Sequence, residues 1–147
     1  MEILILTHYI ATLIMTGAIW LAQLSQYPLL AYVGRKNFIR YEHEHIRRIS
    51  NVAWFIIYIE LFTGAALFLI PSTVVPFVIR AVGLVLIGII WGATYFVQYP
   101  LHKKLENGFV PALHKKLVRT NWIRTISWTL RAILWTAVLQ SLVSLGF

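Results

Sequence analysis

Four stretches of this chain are long enough and apolar enough to cross a lipid bilayer, and this restricts its fold more than any other feature. A spanning helix needs about 20 mostly apolar residues, because hydrocarbon offers no partner to an unpaired backbone N–H or C=O. Ile3 to about Leu30, Val52 to Ile70, Val74 to Tyr99 and about Ile126 to Leu145 meet that requirement. The second stops before Pro71-Ser72, and the third has Pro76 in its first turn. Composition agrees: 12% of the 147 residues are charged, against about 25% in a soluble domain. With 59% apolar residues and a mean hydropathy of +0.74, a disordered chain is excluded. The absence of cysteine excludes a disulfide-stapled domain and a zinc ribbon. The first stretch does not read as a cleaved signal peptide, since it follows Met1-Glu2 with no basic residue, runs too long and has no small-residue cleavage site. The expected fold class is all-α integral membrane, a four-transmembrane-helix bundle in a single membrane domain, 1–147.

The formal charge of +8 is an orientation signal. Arg35, Lys36, Arg40, Arg47 and Arg48 lie between spans one and two; Lys103, Lys104, Lys115, Lys116, Arg119 and Arg124 lie between spans three and four. The turn joining spans two and three has only Arg80. The positive-inside rule puts both basic connections in the cytoplasm and both termini on the outer side, as in a multi-pass protein of the bacterial inner membrane. Nucleic acid is not needed to explain the charge. Asn37 can cap a helix that runs unbroken into span two, and Pro111 suits the first turn of one running into span four. Each would be roughly 50 Å long and project about 20 Å into the cytoplasm.

The sequence also repeats itself. Gln26-Tyr27-Pro28-Leu29 recurs as Gln98-Tyr99-Pro100-Leu101, 72 positions later. Gly17 and Trp20 match Gly88 and Trp91, and Ile46-Arg47-Arg48-Ile49-Ser50 matches Ile123-Arg124-Thr125-Ile126-Ser127. Three matches in the same order imply a duplicated helical hairpin, 1–70 and 74–147, with its halves related by a pseudo-two-fold axis along the membrane normal. Gln26, Tyr27, Gln98 and Tyr99 are then candidate substrate-binding residues where the halves meet, although the tyrosines equally suit an aromatic belt.

Ionisable residues mark where chemistry is expected. Glu60 is the one acid deep within a span, and His8 lies at a similar height on span one, so the two form a candidate intramembrane polar pair. The pair suits an axial ligand at His8, a proton relay or a structural bond between helices. Matching the halves puts Arg80 at the same outer level. On the basic side, Glu42 and His45 stand at i, i+3 and share a helix face, the spacing used by di-iron carboxylate bundles. His43 lies on a different face. With His102 and His114 from the second half they make a candidate metal set of Glu42, His45, His102 and His114, which lacks the second Glu-x-x-His of such bundles. The same cluster also suits a solvated helix start. Arg47, Arg48, Arg124 and Arg131 enter their spans beside Asn51, Asn121, Trp54, Trp122 and Trp128. They suit an anion or phenolate site with stacking surface, or snorkelling to headgroups. No hydrolase elbow, phosphate loop or dinucleotide fingerprint is present.

Tyr99-Pro100-Leu101-His102-x-x-Leu105, Asn121-Trp122-x-Arg124-Thr125 and Trp128-x-x-Arg131 together resemble a pattern in small four-span bacterial membrane proteins of the anthrone-oxygenase-like type. The resemblance covers mainly the second half. It implies oxidation of a flat, apolar aromatic molecule and draws attention to His102, Asn121, Trp122 and Arg124. A weaker likeness, through His8, is to membrane protoporphyrinogen oxidase and its haem-binding relatives.

The function expected from residues and resemblance together is a membrane-embedded oxidoreductase or oxygenase acting on a small lipophilic aromatic substrate near the cytoplasmic face. His45, His102, His114 and Arg124 are its candidate catalytic residues, and Gln26, Tyr27, Gln98, Tyr99, Asn121 and Trp122 its candidate substrate contacts. Iron or another transition metal, or haem, is the candidate cofactor. The bilayer and a small lipophilic ligand are the expected partners, with a homo-oligomer as a further expectation. The alternatives are a transport or binding protein built on His8 and Glu60, and a haem-binding protein.

Overall fold

The computed structural model describes residues 1–144, which form helices and short connections with no strand among them. Four helices have the length and hydropathy to cross a membrane: α1 (Glu2–Tyr32), α2 (Arg35–Leu69), α3 (Phe77–Leu105) and α4 (Pro111–Ser144). The 35 residues of α2 and 34 of α4 make rods about 50 Å long. The expected end of span four at Leu145 lies outside the described residues.

Three boundaries differ from the sequence expectation. Gly34, not Asn37, occupies the cap position of α2, with extended ψ, and Asn37 lies in the first turn with its amide on the Gly34 carbonyl. Pro76 precedes α3 rather than lying within its first turn, because the Ser72 hydroxyl accepts the Val74 and Val75 amides and holds that segment out of the helix. The third helix continues past Tyr99 and through Pro100 to Leu105. A proline inside a helix lacks the amide and its ring collides with the carbonyl a turn back. Pro28 and Pro100 both escape this because a single π-helical turn precedes each, at Ala22–Gln26 and Thr94–Gln98. In those turns the Tyr27 and Tyr99 amides reach back to Ala22 and Thr94, widening the helix enough to carry it past the ring.

Each helix packs on its neighbours in the chain, and α1 closes the ring on α4. One end of the bundle carries the 33–34 and 106–110 connections with most of the basic residues; the other carries Met1 and the 70–76 turn. Outward faces expose Leu24, Phe62, Phe96 and Ile133. These faces suit lipid, and no water-facing globule would leave so much apolar surface unpaired. Inside, Phe38, Leu105, Leu117 and Trp128 fill the basic end. Ile5, Leu67, Trp135 and Leu142 fill the other. At that second end Arg80 Nη1 donates to the Leu67, Phe68 and Ile70 carbonyls, which the end of α2 leaves without amide partners.

Candidate functional site

The π turn in α1 carries Tyr27 to the interior face, where it is buried, and the continuation of α3 beyond Pro100 brings His102 beside it. The extension of α2 adds Glu42, which is 0% exposed. His102 Nδ1 lies 2.7 Å from Glu42 Oε1, and His102 Nε2 lies 3.2 Å from the Tyr27 hydroxyl. A carboxylate only accepts, so Nδ1 carries a proton and donates it to Glu42. In the tautomer that leaves Nε2 unprotonated, this nitrogen accepts from the Tyr27 hydroxyl. The result is a line of three side chains from three helices: phenol, imidazole, carboxylate. His45, one turn from Glu42, stacks on Tyr41 at 6.1 Å between ring centres, and its ring stands 6.3 Å from His102 and 6.5 Å from Tyr27. His114, in the first turn of α4, donates from Nε2 to the Tyr27 carbonyl at 2.7 Å and so pins the end of α1.

Beside this line is a half-open chamber of about 130 Å³, bounded by Tyr27, His45, Trp54, Gln98, His102 and Arg124 among others. A larger groove of about 580 Å³ runs along the gap between α1 and α2. Met15, Ala18, His45, Ile49 and Ala53 border both spaces, so the groove lies directly against the chamber. Ala18 and Ala53, one on each helix, keep that shared wall thin. Gln98 donates to the Thr120 hydroxyl at 2.9 Å and the Leu117 carbonyl at 3.4 Å, and Tyr99 borders the chamber while half exposed. Gln26 borders the outer groove, and the glutamine of α1 that is buried is Gln23, which accepts from Asn121 Nδ2 at 2.9 Å. Asn121 Oδ1 in turn accepts from Arg124 Nη1 at 3.3 Å. Trp122 faces outward at 38% exposure, edge-on to Trp20, and Trp128 rather than Trp122 lies under the Arg124 guanidinium, 5.3 Å away.

A second polar cluster lies deeper, toward the end that carries Met1. Arg131, 0% exposed, stands between His8 and Glu60. Its Nε and Nη2 lie 3.1 and 3.0 Å from Glu60 Oε1, its Nη2 is 3.0 Å from His8 Nε2, and its Nη1 donates to the Gly83 carbonyl. Thr12 donates to Glu60 Oε1 at 2.8 Å and Trp128 Nε1 to Oε2 at 2.9 Å. Arginine offers only donors, so His8 Nε2 accepts and Nδ1–H donates to Thr63, whose hydroxyl passes on to the Ile59 carbonyl. Glu60 and His8 are thus linked through Arg131, not by a direct bond. All four helices contribute, and neither chamber nor groove borders the cluster. Sequence reasoning missed Thr12 and Gln23; polarity inside an apolar span was the signal available for both.

The candidate metal set does not assemble. Among the described residues no group of three or more His, Asp or Glu side chains is placed to hold a metal ion. Glu42 and His102 face each other, while His114 is held by the Tyr27 carbonyl, so Glu42, His45, His102 and His114 do not converge on one point. No protein-family model, curated protein or solved structure matches the chain.

Proposed function

We propose that this chain is an oxidoreductase of the oxygenase type that takes a small lipophilic aromatic molecule from the membrane into the chamber between its helices. One observation carries it: a buried carboxylate, an imidazole and a phenol stand in hydrogen-bonded sequence at the wall of a lipophilic chamber. Such a line is built to move a proton. As His102 Nε2 takes the Tyr27 proton, the phenolate oxygen accepts a proton from an acidic C–H of the bound molecule. Glu42 holds the imidazole in the required tautomer and stabilises the imidazolium that forms. The carbanion left behind is oxidised by dioxygen as co-substrate. In balance, one methylene group and one dioxygen molecule give one ketone carbonyl and one water. His45 stacks beside the line and fixes one wall.

The two halves are proposed to be copies of one hairpin, supported by the π turns that precede Pro28 and Pro100 at the same repeat spacing. The basic end is proposed to face the cytoplasm of a bacterial cell, with both termini outside, on the strength of the positive-inside rule. The groove between α1 and α2 then opens to the inner leaflet, where a lipophilic substrate is concentrated.

The test is oxygen uptake and anthraquinone formation with anthrone, an aromatic ketone with one activated methylene, by protein in phosphatidylcholine nanodiscs. Turnover above the uncatalysed rate is expected, falling about 10²–10⁴-fold in His102→Ala, the range contributed by a positioned general base. No turnover, or turnover unchanged in His102→Ala, overturns the proposal.

A further inference from the structure

Among the described residues three arginines are buried, Arg80, Arg124 and Arg131, and they differ in how their charge is met. Arg131 is paired with Glu60. Arg80 lies against the carbonyl end of α2, whose dipole is negative there. Arg124 has neither. It is 9% exposed, its Nε has no hydrogen-bond partner, and among the described residues no carboxylate lies within ion-pairing distance of it. Its polar neighbours are neutral: Nη1 donates to Asn121 Oδ1, and the Tyr27 phenol stands beside the guanidinium. The Trp128 ring beneath it supplies a weak electrostatic contact. Glu42, the carboxylate of this region, is turned to His102. A buried cation without a counter-charge is strongly disfavoured unless an anion joins it.

Among the described residues Arg124 is also the one lysine or arginine bordering the chamber, whose remaining wall is mostly aliphatic and aromatic. The amide of Asn121 is locked by its bond to Gln23, and Gln23 is tied to the Val118 carbonyl, so the guanidinium is backed by a rigid polar frame. From this geometry we infer that the chamber binds a lipophilic monoanion, a flat apolar body bearing one carboxylate or phenolate (the enolate of anthrone is of this class), with its oxyanion on the Arg124 guanidinium. The inference rests on the chamber proposed above as the substrate site and names the chemical class that site takes. A planar guanidinium matches a carboxylate in two parallel hydrogen bonds, which the neutral lining cannot supply. An oxyanion held there keeps the ligand in the space that Tyr27 and His102 also border.

The experiment measures binding without turnover. Protein in phosphatidylcholine nanodiscs is titrated calorimetrically with 2-naphthoate and with 2-naphthamide, which has the same shape and no charge. The acid is expected to bind about 10- to 100-fold more tightly than the amide, the range of a hydrogen bond to a charged group. Arg124→Gln is expected to abolish that preference. Asn121→Asp keeps the arginine but gives it an internal counter-charge, and is expected to weaken naphthoate without weakening the amide, with thermal unfolding to show that the bundle is intact. Equal binding of acid and amide by the native protein, or a preference that survives Arg124→Gln, overturns the inference. The titration is repeated in discs containing phosphatidylglycerol. Unchanged naphthoate affinity supports a small acid as occupant, and its loss assigns the seat to a phospholipid headgroup and overturns it. Acid-selective binding with no anthrone turnover would overturn the oxygenase proposal alone.

Discussion

At the scale of single residues, the deep cluster and the basic-end line make opposite uses of similar groups. Glu60 receives Arg131 and Thr12 on one oxygen and Trp128 on the other, so its carboxylate is gripped by side chains of two neighbouring helices. Its contacts, with those of Arg131, tie the four helices together. Glu60→Gln leaves Arg131 buried with no counter-charge, and breaking such a pair costs about 3–5 kcal/mol. A large fall in the unfolding midpoint in detergent is expected. The double variant Glu60→Met, Arg131→Met removes both charges and should recover much of the loss; a double variant no better than the single one would contradict this. Glu42 differs in having one oxygen unpartnered and in facing a histidine that reaches the chamber. Glu42→Gln keeps the size of the side chain and an acceptor for His102. Its expected effect is a fall in turnover of about 10- to 100-fold with little change in unfolding midpoint, measured on the same preparation.

At the scale of elements, close approach between helices rests on particular small residues. A Cβ on Gly64 would collide with Ile87 Cδ1 and come within 3.1 Å of His8 Cε1, whereas Gly17, Gly88 and Gly92 face open space. The Ile87 methyl is the free end of its side chain and can swing aside, but His8 is held by Thr63 and Arg131. Gly64→Ala should therefore unfold more readily than Gly88→Ala, through its pressure on His8. Alanine at Gly88 should leave the unfolding midpoint level or raise it, as better helix propensity predicts. Equal effects at the two sites would argue against the packing described. The elements were also the most legible part of the sequence. Twenty apolar residues in a row have one solution in a bilayer, so the spans could be read directly. Their ends could not: Pro100 looks like a stop, and only the π turn before it lets α3 carry His102 to the Glu42 side chain. The i, i+3 spacing put Glu42 and His45 on one face but held no information on what that face meets. Asn121, Trp122 and Arg124 were adjacent in one motif, yet on a helix they point different ways, and Trp122 turned outward while Trp128 took its place beneath the arginine.

At the scale of the whole molecule, the four helices meet at a polar cluster that binds them and line a half-open chamber at another level. The chamber is at the basic end, the cluster nearer Met1, so stability and the proposed chemistry occupy different levels of the bundle. The orientation is open to a direct check because the chain has no cysteine. A membrane-impermeant maleimide added to intact cells should label Ser72→Cys, while Lys104→Cys should label only after the membrane is opened. The reverse pattern would invert the assignment of sides. The proposed relay is tested most directly by a cycle of initial rates for anthrone oxidation in the native protein, Tyr27→Phe, His102→Ala and the double variant. Groups that pass one proton between them act as a unit, so each single variant should be severely slowed and the double variant no slower than His102→Ala alone. Independent, multiplying losses, or a Tyr27→Phe variant as fast as the native protein, would show that Tyr27 and His102 do not work together.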